Sequence, residues 1–334
     1  MSSRNPSSVS LNRRTLVAGA LAAAATPLSL RASFAQTYPD RPVRLVVPYA
    51  AGTTTDLLAR QVTEKVSDLL GQRLVIENKA GAGGSLGAES AARSTADGYT
   101  LLWGTSQTQA VNISLYKSIK YDPMKDFAPV ARIASQPLVL VVHPDVQART
   151  VAELVALAKK QPEKLNYAST GSGTSAHLAG ASFNKAAGLQ LLHVPYNGGQ
   201  VFQDLLSGRT SMIFYPYLPL KGYVEAKQLI PLATLGATRL AELPDVPTMI
   251  ESGYPDFVFA SWNAIYAPVG APQAIIDTLT KAFERAMADA DLQRRLAGTG
   301  TAIEFAGPAE LSAFTAKEIA RFREVIAVSG ASVN

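Results

Sequence analysis

Two stretches of the chain gather glycine and small hydroxyl residues where an apolar β-branched run gives way to helical periodicity. They are Pro48-Tyr49-Ala50-Ala51-Gly52-Thr53-Thr54-Thr55-Asp56 and Ser169-Thr170-Gly171-Ser172-Gly173-Thr174-Ser175. The first N–H groups of a helix have no internal partner and the helix dipole is positive at that end. Such a turn can therefore hold a carboxylate or phosphate without lysine or arginine. Simple capping accounts for one or two hydroxyl residues per turn, not for runs of this length. One such turn in each half of the chain, each at a strand's carboxyl end, predicts the two walls of a single binding cleft. The candidate contacts are Tyr49, Ala51, Gly52, Thr53, Thr54, Thr55 and Asp56 in the first turn and Thr170, Ser172, Gly173 and Thr174 in the second. His177, early in the second helix, is expected to orient its loop. Ser106, Asn197 and Tyr215 join the set by their place after predicted strands.

Other chemistries fit less well. Gly83-Gly84-Ser85-Leu86-Gly87 matches the G-x-S-x-G turn of α/β-hydrolases, which makes an exported hydrolase with Ser85 as nucleophile the alternative reading. Residues 78–82 separate that motif from its strand, however, and no histidine follows His193 to act as base in the usual chain order. Gly171-Ser172-Gly173-Thr174-Ser175-Ala176 fits the dinucleotide pattern G-x-G-x-x-A, but no Asp or Glu lies between Leu189 and Gln203 to hold a ribose. His143, His177 and His193 lack the spacing of a helical metal pair. With no cysteine in the chain, thiolate nucleophiles, Cys-rich zinc sites and iron–sulfur clusters are excluded. No catalytic residue, metal or cofactor is expected.

The elements that must position these residues follow from the pattern. The 334 residues, 47% hydrophobic and 17% charged, have a globular balance and a length suited to two domains. Residues 43–47 read as a buried strand, and Leu57, Leu58, Val62, Val66, Leu69 and Leu70 mark the apolar face of the next helix. Strand 74–77, helix 85–93 and strand 99–103 complete a β-α-β-α-β unit. The rhythm restarts with strand 138–142, helix 151–160, strand 165–168, helix 176–187 and strand 191–194, and continues with strands 212–215 and 230–234. Such alternation predicts an α/β fold with a mainly parallel sheet and flanking helices in each half. The terminal helices, 273–288 and 309–328, have too few strands for a third domain and are expected to pack back on the first. The chain then crosses between lobes twice, near 134–142 and 257–265, which makes a hinge able to close around a ligand.

Arg13 and Arg14 precede an uncharged stretch, 15–30, and then Ala32-Ser33-Phe34-Ala35, the layout of a secretory signal peptide cleaved near Ala35. The stretch is shorter than the roughly 20 apolar residues that a membrane span needs. Four of the 31 basic side chains and none of the 26 acidic ones lie in residues 1–35, so the rest of the chain is close to neutral. That balance argues against nucleic acid as a partner. The expected organisation is a signal peptide at 1–35, a first lobe from 36–136 and 261–334, and a second lobe at 137–260.

The chain resembles the periplasmic substrate-binding receptors of tripartite tricarboxylate transporters, the Bug family, over nearly all of its mature length. The marks are Tyr38-Pro39-Asp40-Arg41-Pro42-Val43-Arg44, the run 48–56, Glu77-Asn78-Lys79-Ala80-Gly81-Ala82-Gly83-Gly84, Asp97-Gly98-Tyr99-Thr100-Leu101-Leu102, Gly171-Ser172-Gly173-Thr174-Ser175-Ala176-His177-Leu178-Ala179-Gly180 and Leu243-Pro244-Asp245-Val246-Pro247-Thr248. The resemblance implies a two-lobed flytrap of the type II periplasmic binding protein kind. It would hold a small carboxylic acid through the two turns, in the periplasm, and present it to membrane permease subunits. Two departures stand out. Where family members usually have two glycines, this chain has Gly52-Thr53. Where many have acidic residues after Gly208, it has Thr210, Ser211, Phe214 and Tyr215. The expected ligand is therefore a di- or tricarboxylate, or an aromatic carboxylic acid, without an amino group, its body against Tyr49, Tyr215 and Tyr217.

Overall fold

Strands Val43–Val47 (β1), Leu74–Asn78 (β2) and Thr100–Thr105 (β3) pair in parallel in the order β2-β1-β3, with helices Thr54–Leu70 (α1) and Ser85–Ala92 (α2) as crossovers. The computed structural model describes residues 38–331 other than 163 and 197–199, so the expected signal peptide, its cleavage point and Asn197 fall outside the described residues. In α1 the buried stripe is Leu58, Ala59, Val62 and Val66, while Leu57 is 50% exposed. Successive helical residues are turned by about 100°, so Leu57 cannot share the stripe of Leu58.

After β3 the chain makes a π-helical turn, Gln107–Val111, that runs into a single α-turn, Asn112–Leu115 (α3). The sixteen-residue strand Phe127–Val142 (β4) then carries it into the second half. There Val151–Lys160 (α4), Asn166–Ser169 (β5), Ser175–Ala187 (α5), Leu192–Pro195 (β6), Gln200–Leu206 (α6), Met212–Pro216 (β7), Lys221–Glu225 (α7) and Ile230–Thr234 (β8) follow. Strand Ala260–Pro268 (β9) returns along β4, and Gln273–Met287 (α8), Ala290–Ala297 (α9), Ala302–Ala306 (β10) and Pro308–Ser329 (α10) end the chain.

β5 pairs in parallel with both β6 and β7, repeating the arrangement of β1 with its neighbours. Every ladder that involves β4 or β9 is antiparallel. The sheets are thus mixed, parallel in the βαβ units and antiparallel where the chain crosses. β4 serves both halves. Its first part carries β10, its last part is flanked by β7 and β8, and β9 runs beside it from Phe127↔Pro268 to Pro137↔Ala260. These are the two extended crossings expected from the sequence, and the architecture is that of a two-lobed type II periplasmic binding protein.

One apolar core, with Val43, Leu45, Leu58, Trp103, Ile133, Ile265 and Phe283, joins the first unit to the C-terminal helices. Another, with Val139, Val141, Ile213 and Leu220, lies within the second. α8 packs on α1 and β4 as expected. α10 packs on β4 but also on α5 of the second half.

Candidate ligand-binding cleft

The first turn joins β1 to α1. Gly52 takes a left-handed φ of 81°, and Thr53 is extended (φ −70°, ψ 159°) as the helix N-cap. Its hydroxyl donates to Ala50 O at 2.8 Å and accepts Asp56 N–H at 3.4 Å. Asp56 is 1% exposed and does not face a ligand. Its Oδ2 accepts Gly52 N–H at 2.9 Å and Arg60 Nε–H at 2.9 Å, and its Oδ1 accepts from Asn78 Nδ2 at 2.9 Å. Burial alone would raise the pKa of this carboxyl. The hydrogen bonds from Arg60, Gly52 and Asn78 outweigh it and hold the group below the ordinary carboxylate range.

The second turn, between β5 and α5, repeats the construction. Gly173 has φ 79°, and Thr174 (φ −72°, ψ 159°) caps α5, donating to Gly171 O at 2.8 Å and accepting His177 N–H at 3.5 Å. Gly173 N–H donates to His177 Nδ1 at 3.0 Å. This bond ties His177, expected to orient its loop, to the backbone of that loop. Behind it, His177 stacks on His193 (centroids 3.9 Å, 9° between planes), and the Tyr167 ring lies near-parallel to both, 5.0 Å from His193 and 6.5 Å from His177. His193 Nε2 lies 2.7 Å from Ser169 Oγ. The two histidines, remote in sequence, therefore form one stack. Burial first, then the proximity of His177, depresses His193 to about 4, and burial lowers His177.

Between these turns lies a cavity of about 340 Å³. From the expected set it is lined by Tyr49, Thr55, Ser106, Thr170, Ser172, Gly173, Thr174 and Tyr215. The other described members are elsewhere. Ala51 and Gly52 are exposed, Thr53 and Asp56 are consumed in the cap, Thr54 is not on the wall, and His177 is buried behind the loop. Tyr217, expected against a ligand body, is 4% exposed in the core of the second half. The crossing strands supply Leu138 and Ser261. Ser135, Pro137, Ala260 and Trp262, which alternate with them, border a separate cavity of about 410 Å³ on the opposite face, with Arg132, Glu304, Glu318 and Arg321.

No side chain lining the cleft is acidic, basic or imidazole. Its polar groups are hydroxyls, Gln107 and backbone N–H groups at two helix N-termini. Thr54 and Thr55 at the start of α1, and Ser175 and Ala176 at the start of α5, carry the N–H groups that neither cap satisfies. Tyr49 is pushed up to about 12 by burial, against the bond its hydroxyl shares with Thr105 Oγ1 at 2.9 Å, and burial likewise raises Tyr116 and Tyr215. All three phenols stay neutral at physiological pH and offer hydroxyls.

Sequence reasoning missed Gly83, Thr105, Gln107, Leu115 and Tyr116 on the first wall. Gln107 and Leu115 lie on the π-turn and α3, which carry no periodicity long enough to read. The turn is held by Asn112, which accepts from Gln107 Nε2 (2.6 Å) and donates to Gly83 O (3.0 Å) and Ser85 Oγ (2.9 Å). Ser85, the nucleophile of the alternative reading, is thus bonded to an amide, and the stacked histidines belong to the other half. Among the described residues no cluster of three His, Cys, Asp or Glu could hold a metal, and no helix is long and apolar enough to cross a membrane.

Residues 58–330 match the model of the tripartite tricarboxylate transporter family receptor. Among solved structures the chain is similar to the Rhodopseudomonas palustris protein Rpa4515 with adipate, at 33% identity and a TM-score of 0.77, covering 88% of this chain and 99% of that one. It is similar to the periplasmic binding protein BugD at 32% identity, TM-score 0.73, with 88% and 99% covered. MatC from R. palustris with bound malate is 30% identical, TM-score 0.72, with 86% and 100% covered.

Proposed function

The chain belongs to the tripartite tricarboxylate transporter receptor family, and from that premise we propose that it is a periplasmic receptor, without catalysis of its own, that captures a small carboxylic acid and delivers it to membrane permease subunits. The observation that carries this reading is the neutral cleft of about 340 Å³ bordered by two matched helix N-termini. Dipoles and free N–H groups there favour an anion, and the volume falls within the range of about 300–1,000 Å³ usual for small-molecule sites. Adipate in Rpa4515 and malate in MatC support a carboxylate. No wall side chain is acidic, so an ammonium group would lack a charged partner, which favours a di- or tricarboxylate, or an aromatic carboxylic acid, without an amine.

The lobes run from 38–136 with 261–331, and over 137–260. Support comes from the crossing point, where Gln136 pairs with Ser261 and Pro137 with Ala260. The arginine pair and apolar stretch before Gln36 support export.

A thermal-shift panel of aliphatic dicarboxylates, tricarboxylates, aromatic acids and amino acids tests the reading. A true ligand at 100 times its Kd adds about 2.7 kcal/mol to stability. Shifts from amino acids alone, or from none of the acids, would end it. Ser85→Ala is expected to bind as the parent does, whereas a hydrolase would lose its activity with that hydroxyl.

A further inference from the structure

Gly173 N–H is the one backbone donor in the second turn that a titratable side chain holds in place, through His177 Nδ1 at 3.0 Å. We propose that His177, backed by His193, is a pH-sensitive positioning residue: neutral, it fixes the second turn for ligand, and protonated, it releases the turn and weakens binding. This inference rests on the receptor reading only for its second half.

A neutral imidazole presents a lone pair at Nδ1, and an imidazolium presents N–H at both nitrogens. On protonation the Gly173 amide would face another donor at hydrogen-bond distance. The glycine cannot easily move to relieve this. Its φ of 79° is left-handed, and an added Cβ would sit 2.5 Å from Leu115, so the backbone already lies against the opposite wall of the cleft. Displacing it moves the wall that Ser172 to Ala176 form, and with it the N–H groups of Ser175 and Ala176.

Among the described residues neither ring is bonded to a carboxylate: His177 Nδ1 meets Gly173 N–H and His193 Nε2 meets Ser169 Oγ. The faces of the pair meet each other and the neutral Tyr167 phenol on β5, itself pushed up to about 12 by burial. Beyond β6, Tyr196 donates to Asp204, which is also paired with Arg209. On β7, Tyr215 lines the cavity, and on α10 Glu318 is engaged by Arg321 and Trp262. Across the cleft stands Tyr116. Lys185, in the last turn of α5, is the basic residue of that helix. Two rings 3.9 Å apart also disfavour a second charge once the first is present.

The first turn serves as an internal control. Its glycine amide is held by the Asp56 carboxylate, which keeps its charge, and so its acceptor, across the range in which imidazole titrates.

The test has two arms. In ligand-free protein, NMR between pH 5 and 7.5 should show the Gly173 amide resonance moving with the titration of the His177 ring while the Gly52 amide stays still. In His177→Asn, whose Oδ1 can accept in place of Nδ1 without titrating, the Gly173 shift should become flat. The second arm uses adipate as probe and takes the ratio of wild-type to H177N dissociation constants, in which titration of adipate itself cancels. That ratio should rise at least about threefold from pH 7.5 to 5, approaching about tenfold per pH unit below the pKa of His177. A Gly173 amide that ignores the ring titration, a flat ratio, or a ratio that falls toward acid would overturn the proposal. The last would mean that the imidazolium attracts the anion. If adipate fails to bind at any pH, the receptor reading loses support while the NMR arm still decides this one.

Discussion

In the first turn the left-handed glycine is held by a carboxylate, Asp56, and in the second by an imidazole, His177. The cap dihedrals otherwise agree within a few degrees, and both cap hydroxyls sit 2.8 Å from the carbonyl three residues back. The difference lies in what each bend has left to offer. Asp56 places a negative charge in the first turn of α1, where it competes with any external anion for the same dipole, and locks it with Arg60 and Asn78. α5 has no acidic residue in its first turn. Of the first turn only Tyr49 and Thr55 reach the cavity, whereas Thr170 and Ser172 to Ala176 of the second all line it. On the proposed reading, the first bend is an anchor and the second is the principal anion contact.

Glycine substitutions should separate the two most strongly. Gly173→Ala combines left-handed strain of about 1–2 kcal/mol with a Cβ 2.5 Å from Leu115. It should cost at least about tenfold in affinity by calorimetry, since the relief must come from the cleft itself. Gly52→Ala meets nothing within 4 Å. It should lower stability by the left-handed strain alone, about 1–2 kcal/mol, and leave affinity within about threefold. Equal losses of affinity would break the anchor-and-contact distinction.

Asp56→Asn addresses the anchor directly. Exchanging charged hydrogen bonds for neutral ones should cost about 1–2 kcal/mol at pH 7. The native pKa lies below the ordinary 3.8, so this contribution is full above that value and disappears as the pH falls through the native pKa. Denaturation curves of parent and variant should therefore converge in acid. A constant gap down to pH 2 would mean that the carboxylate charge is not what stabilises the bend. At the caps, Thr53→Ala and Thr174→Ala should each lose about 1 kcal/mol of stability, with affinity falling only for Thr174, whose side chain is on the wall.

Much of this architecture was legible because the sequence spells it locally. Helix 151–160 and strand 230–234 stand where periodicity puts them, and two long strands, β4 and β9, run side by side as extended segments. β4 nevertheless starts at Phe127, well before the apolar run 138–142, because pairing with β9 and β10 makes strand of residues whose own pattern includes Pro129 and Arg132. α9 and β10, no shorter than α2 and β1, have no counterpart among the elements read from the pattern. In the cleft, the hydroxyl-rich turns announced themselves, but composition could not say which hydroxyls face the cavity: Thr53 and Thr174 both cap their helices, and only Thr174 lines it. Nor could it pair His177 with His193. That contact depends on β5 and β6 aligning Tyr167 with His193, a long-range register with no trace in spacing. β6 reads as apolar, yet Leu192 is 67% exposed and His193 half-buried, as at a sheet edge.

The finest form of the contrast is between two phenols on opposite walls. Tyr49 is bonded to Thr105 within its own lobe, so its hydroxyl already has a structural task. Tyr215 packs edge-on against Phe202 at 5.2 Å and has no hydrogen-bond partner among the described residues, while its side chain borders the cavity. Tyr49→Phe should therefore lower stability by about 1 kcal/mol and barely change affinity for a carboxylate. Tyr215→Phe should leave the melting temperature of the free protein unchanged and weaken binding by a few-fold, the worth of one neutral hydrogen bond. If the roles came out exchanged, with Tyr49 setting affinity and Tyr215 setting stability, the first wall would be the one that reads the ligand and the assignment of anchor and contact would have to be reversed.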